Sequence, residues 1–171
     1  MPEFSENEGS IFTQQGSLFP AVNERELPQV QPVLWERLAR SEFRQQFHLN
    51  AQDRSYLATK GFEAVLEHGA DFIGKRLAPA HPAKDGRQTP WQGHPVFVAQ
   101  HATGTCCRSC LEKWHGFVKG LPLNGVQQAY VLAVIAIWLR QEQHRPAPKP
   151  GQNTKYVRTF GRKNKKLTEK T

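Results

Sequence analysis

Residues 101–116 read HATGTCCRSCLEKWHG and hold all three cysteines of a 171-residue chain within five positions, with a histidine on either side. Thiolate sulfur and neutral imidazole nitrogen are the donors that bind zinc, which takes four ligands in a tetrahedron and commonly draws two of them from a C-x2-C turn. Cys107-Arg108-Ser109-Cys110 has that spacing, Cys106 is an adjacent alternative, and His101 or His115 can complete the set, with His94 in reserve. The second half of a standard zinc-finger signature is absent, so two other chemistries stay open. A C-x2-C at the start of a helix is also a redox arrangement, its first thiol acidified by the helix dipole and by a cation such as Arg108. No βαβ pattern surrounds it, which weakens a thioredoxin-like version. The third reading is inert packing, because free cysteines are among the most buried residues. Three thiols and three histidines between positions 94 and 115 are hard to place that way.

Asp85 and Glu112 are the carboxylates nearest in sequence to the cluster, and with His81 they are the candidates for acid-base work beside a metal-bound water. A surface Glu and a turn Asp are their ordinary roles. Zinc is therefore expected to be structural, since spacing places no water-activating constellation. The rivals are a metal-dependent hydrolase acting on nucleic acid and a thiol redox protein using Cys107 and Cys110.

The elements that must position these residues read as mostly helical. Pro32 opens a helix with Leu34, Trp35 and Leu38 at helical spacing and Phe43 and Phe47 following. Asn50 with Asp53 resembles a capping pair, and Gly61 marks a joint before a long helix whose stripe is Phe62, Val65, Leu66, Phe72, Ile73 and Leu77. Residues 78–93, APAHPAKDGRQTPWQG, carry three prolines and two glycines and read as an irregular loop, long enough to be functional. PVFVAQ, at 95–100, reads as a short strand or an extended buried segment. Residues 107–117 suit a helix that buries Trp114. Asn124 can cap a final helix from Gly125 to about Gln143, apolar on every side and so central to the core. The expected architecture is mostly α, a single compact helical domain over 32–144 with a long loop and a Cys/His knuckle, flanked by disordered tails at 1–31 and 145–171.

The block GHPVFVAQHAT followed by CCRSCLEKWH, preceded by FRQQFHL and DFIGKRLAPAHPAKDGRQTP, resembles a bacterial family of unassigned role, domain of unknown function 4186, over roughly residues 33–143. The resemblance implies that loop and cysteine block form one unit of a compact bacterial domain, with both tails outside it. It implies no reaction and no ligand set.

The net charge of +8 is unevenly placed: residues 1–144 hold 14 Lys+Arg and 14 Asp+Glu, whereas 145–171 hold nine bases against Glu169. The globular part therefore offers no net charge to a polyanion, and attraction to nucleic acid begins at the C-terminus. There Lys155, Tyr156, Arg158, Phe160, Arg162, Lys163, Lys165 and Lys166 interleave cations with two aromatic rings, a pattern that lets bases stack while phosphates are neutralised. At the other end, Gln15, Ser17, Leu18 and Phe19 in QGSLF resemble the peptide by which bacterial polymerases and repair proteins dock on the DNA polymerase sliding clamp. Leu18 and Phe19 would fill an apolar pocket and Gln15 its polar edge, with Gly16 departing from the usual bulky residue. Both tails point to DNA replication or repair. MPEFSENEGS lacks a basic and apolar leader, and the longest apolar run, residues 129–139, is shorter than the ~18–20 residues that cross a bilayer. A cytoplasmic protein with no membrane partner is expected, its cysteines as thiols or metal thiolates.

Overall fold

The computed structural model describes residues 22–146. The clamp-like peptide and the basic tail lie outside the described residues. Among the described residues there are seven α-helices and no strand: α1 Pro32–Ala39, α2 Glu42–Gln45, α3 Ala51–Lys60, α4 Phe62–Phe72, α5 Pro95–Thr103, α6 Arg108–His115 and α7 Gly125–His144. None of them is long and apolar enough to cross a membrane.

Local chemistry sets most of the helix ends. Asn50 and Asp53 form a complete capping box at α3, and Asn124 and Gln127 form another at α7, each satisfying backbone donors that a helix start would leave unpaired. The segment after Pro32 is broken where the apolar spacing ran on: α1 stops at Ala39, and Ser41 caps the separate short α2 by accepting from the Arg44 N–H. The expected α4 stripe is present, but its last turn, Ile73–Leu77, is wound as a π-helix, with the Ala78 N–H reaching the Ile73 carbonyl at 2.8 Å. Hydrophobic spacing cannot register that change, because it concerns which carbonyl each N–H selects.

Helix α7 runs through the centre, with six consecutive buried residues from Val131 to Ala136, and packs against α4 and α5. Gly69 lets α4 approach it: a Cβ there would lie 3.1 Å from Leu132 Cδ1. The main cluster also takes in Leu49, Leu57, Val96 and Leu111, tying α3, α5 and α6 to the same core.

Two expectations are corrected. Residues 95–100 are helical, not extended: Pro95 occupies the first turn, His94 caps it by accepting from the Val96 N–H, and every residue from Pro95 to Thr103 is buried. A short run buried on all sides has no period to reveal, and with no partner strand only a helix satisfies its backbone. Residues 22–31 were expected to be part of a disordered tail, yet Val22 and Leu27 pack on the main core and Val30 on a second cluster of Leu34, Leu38 and Val134. Glu24 pairs with Arg140, whose guanidinium lies 3.5 Å from the centre of the Phe62 ring. Apolar positions 22, 27 and 30 follow neither a helical nor a strand period, so pattern alone passes over them.

Candidate metal centre

Gly104 ends α5 in the left-handed region, φ 71°, and a Cβ there would sit 2.7 Å from the Trp114 ring. Glycine thus lets the chain reverse tightly against α6. The turn is held from several sides. The Thr105 N–H donates to the Gln100 carbonyl at 2.9 Å, the Gln100 side chain returns a bond to the Thr105 carbonyl at 3.1 Å, and the Thr89 hydroxyl donates to the Cys106 carbonyl at 2.7 Å. Thr89 belongs to the long 78–93 loop, so that loop buttresses the cysteines.

Cys107 is the N-cap of α6, its Sγ accepting from the Cys110 N–H at 3.4 Å, so the C-x2-C opens a helix as its spacing predicts. Cys106 and Cys107 are buried, Cys110 is half-buried, and the three sulfurs lie within 4.8 Å of one another. Among the described residues this is the one group of three or more Cys, His or carboxylate donors so closely gathered. It can hold a metal ion.

The buried cation at the sulfurs is Arg44, from α2. Nη2 donates to Cys110 Sγ at 3.2 Å, Nη1 lies 3.8 Å from Cys106 Sγ, and Nη1 also donates to the His101 carbonyl. Arg108, expected to acidify the thiols, is corrected: its guanidinium is 1 % exposed and donates to the carbonyls of Leu77, Ala78, Pro79, Val118 and Leu121. At the head of α6 the backbone points sulfurs to one side and this side chain to the other.

Hydrogen bonds from the Cys106 and Cys107 thiols, followed by the charge of Arg44, hold the Cys110 thiol well below its ordinary range. Cys106 is pushed far up by its hydrogen bonds with Cys107 and Cys110 and by burial. The hydrogen bond with Cys106 lowers Cys107, but Cys110 and burial outweigh it and leave that thiol raised. One thiolate, two thiols and one arginine is a neutral arrangement, and a cation that displaces the two protons meets three preassembled sulfurs.

The histidines divide. His101 is buried and stacks on Trp91 with ring centres 4.1 Å apart; its Nε2–H donates to the Pro90 carbonyl at 3.2 Å, and its Nδ1 has no hydrogen-bond partner. His115 is used at both nitrogens, donating from Nε2 to the Thr103 carbonyl at 2.9 Å and accepting at Nδ1 from the Tyr130 hydroxyl at 3.4 Å. His94 is spent on the α5 cap through Nδ1, and its Nε2–H donates to His68 Nδ1 at 3.1 Å, where the Tyr56 hydroxyl also reaches at 3.4 Å.

The acid-base candidates lie apart from the sulfur group. Asp85 is exposed on the loop, paired with Lys119 at 3.4 Å and bonded by Gln88; these contacts outweigh slight burial and hold its carboxyl below the usual range. Glu112 is exposed and accepts from the Lys119 N–H at 3.2 Å, and His81 is exposed on the same loop. Lys119 thus gathers Asp85 and Glu112 at the surface. Sequence reasoning missed Arg44 and Thr89 altogether; an arginine between Phe43 and Phe47 was the one trace of the former.

The capped position of His94 makes stability pH-dependent. Burial, then the neighbouring His68, lowers its pKa to about 4 in the folded chain, against ~6.5 when unfolded. Between those values the unfolded chain binds the extra proton, so this contribution is complete above pH 6.5 and is lost as pH falls toward 4, amounting to about 3 kcal/mol. Urea midpoints measured across that window should fall steeply for the native sequence and less steeply for His94→Asn, which retains a capping oxygen. Parallel slopes would dispose of the assignment.

Residues 32–140 match the family model described as "Domain of unknown function (DUF4186)". No solved structure matches the chain.

Proposed function

The chain belongs to the family described as domain of unknown function DUF4186, which names no reaction, and from its own residues we propose that it is a zinc-binding accessory protein of bacterial DNA metabolism in which the ion is structural. The sulfur triangle carries the metal part of this reading. Three thiolates with one neutral nitrogen are a donor set that zinc favours over hard cations, which prefer oxygen. Zinc with three thiolates carries a charge of −1, and Arg44 supplies the opposite charge at hydrogen-bond distance from two of the sulfurs. When bound, zinc would supply a cross-link between the α5–α6 turn and the head of α6. Arg44 would orient the sulfurs, and the Thr89 bond would keep the loop seated over them. A structural role is favoured because Asp85 and Glu112 are engaged with Lys119 and stand outside the sulfur group.

The DNA part rests on the sequence of the tails: a clamp-like peptide at Gln15–Phe19, ending three residues before the docked Val22, and nine bases at 145–171. A thiol redox role is the second reading, favoured by the acidic Cys110 at a helix start. Elemental analysis of protein purified without a metal-affinity tag tests the metal reading. One zinc per chain, lost in both Cys107→Ser and Cys110→Ser, is expected; no metal with all three thiols oxidisable transfers the weight to redox chemistry. For the DNA reading, Leu18→Ala with Phe19→Ala should abolish binding to purified sliding clamp. Undiminished binding removes clamp docking from the proposal.

A further inference from the structure

Resting on that metal reading, we infer that His101 is the fourth ligand, through Nδ1, closing the site as three sulfurs and one nitrogen. Two observations, each with a general rule behind it, converge on it. The Pro90 carbonyl can only accept, so its 3.2 Å contact places the ring proton on Nε2 and leaves a lone pair on Nδ1. That Nδ1 is buried without a partner on a residue that is 5 % exposed. A buried acceptor without a donor is unfavourable unless something else occupies it. Metal-bound histidines characteristically donate their other ring N–H to a carbonyl or carboxylate, as Nε2 does here.

Position supports the assignment. Arg44 touches the His101 carbonyl and two of the sulfurs with the same guanidinium, so the root of the His101 side chain stands at the rim of the sulfur triangle. Thr89 and Pro90 bind the Cys106 carbonyl and His101 Nε2 respectively, joining the two halves of the site through one stretch of loop. Nδ1 lies outside the 4.8 Å compass of the sulfurs, so ligation draws ring and turn together. The other candidates are already committed. His115 and His94 have partners at both nitrogens. A carboxylate as fourth ligand would give the zinc site a charge of −2 beside a single arginine, whereas neutral His101 leaves −1 and +1.

X-ray absorption on the zinc-loaded full-length chain reads the ligand shell directly. Three sulfurs at about 2.3 Å and one nitrogen at about 2.0–2.1 Å are expected. In a competition assay against a chromophoric chelator, His101→Gln should weaken zinc binding by more than the ~10- to 100-fold typical of an outer partner, while His115→Gln stays within about tenfold. A wild-type shell of sulfur and oxygen alone, or His101→Gln binding as tightly as wild type, overturns the assignment, as does a large loss confined to His115→Gln. If the wild-type chain takes up no zinc, the metal reading itself has failed. Absorption on the wild type keeps the inference testable even if the glutamine variant does not fold.

Discussion

Chelating the metal is expected to lower the thermal unfolding midpoint by roughly 10–20 °C while leaving most of the helical signal intact at 25 °C. A ligand at a thousandfold excess over its dissociation constant stabilises the folded state by about 4 kcal/mol, and a fold of this size shifts by several degrees per kcal/mol. The helices should survive because the main core of α3, α4, α5 and α7 contains none of the cysteines. Arg44 does not become an unpaired buried charge, because the thiolate of Cys110 stays beside it. The loss should therefore be local. Hydrogen exchange should quicken first in the 104–107 turn, at the head of α6, and in the loop around Thr89, whose hydroxyl is tied to the Cys106 carbonyl. Exchange and midpoint unchanged by chelator would show that the ion, if bound, is not structural.

Arg108→Met should cost about 3–5 kcal/mol, because it strips the charged donor from several buried carbonyls, each of which costs about 1–3 kcal/mol when left unpaired. Methionine keeps much of the apolar stem, so the loss isolates the guanidinium. That group gathers five carbonyls, from Leu77, Ala78 and Pro79 at the end of the π-wound turn and from Val118 and Leu121 in the segment after α6, at 2.7–3.5 Å. Where the π-wound turn ends, the carbonyls of Leu77 and Pro79 are left to this guanidinium, while that of Ala78 is shared with the Leu123 N–H at 2.8 Å. Arg108→Lys should recover only part of the loss, since an ammonium cannot span both groups of carbonyls. The thiols provide a second readout. Arg108→Met should leave Cys110 reactivity toward an alkylating reagent nearly unchanged, whereas Arg44→Met should depress it by raising the thiol pKa. A methionine variant within about 1 kcal/mol of wild type in urea unfolding would mean that the carbonyls find other partners.

The features legible in the amino-acid order are those whose cause is local. Asn50 and Asn124 cap α3 and α7 because capping acts within three residues, and Cys107 and Cys110 come together because C-x2-C at a helix start leaves them one turn apart. The apolar stripe of α4 and the all-round burial of α7 follow from the 3.6-residue period, and family membership follows from the linked loop and cysteine blocks. Features decided by long-range contact left little or no pattern. Residues 22–31 gain their place only when the α7 and α4 surfaces exist to receive them. The 95–100 segment became a helix because the interior offered no strand to pair with it.

The same division runs through the candidate site. Three cysteines and a short list of histidines could be named from spacing; choosing among them needed the hydrogen bonds at each ring nitrogen, which, apart from the local Val96 cap on His94, come from residues 11 to 26 positions away. The counter-charge was misassigned for the same reason. Arg108 is adjacent to the thiols in sequence and points away, while Arg44, 62 and 66 positions upstream of the two sulfurs it meets, points in. Spacing along the chain determined which donors this protein can offer a metal. Tertiary packing decided which lone pair was left unoccupied and which cation balances the sulfurs, because burial makes every nearby polar group find a partner wherever along the chain it lies.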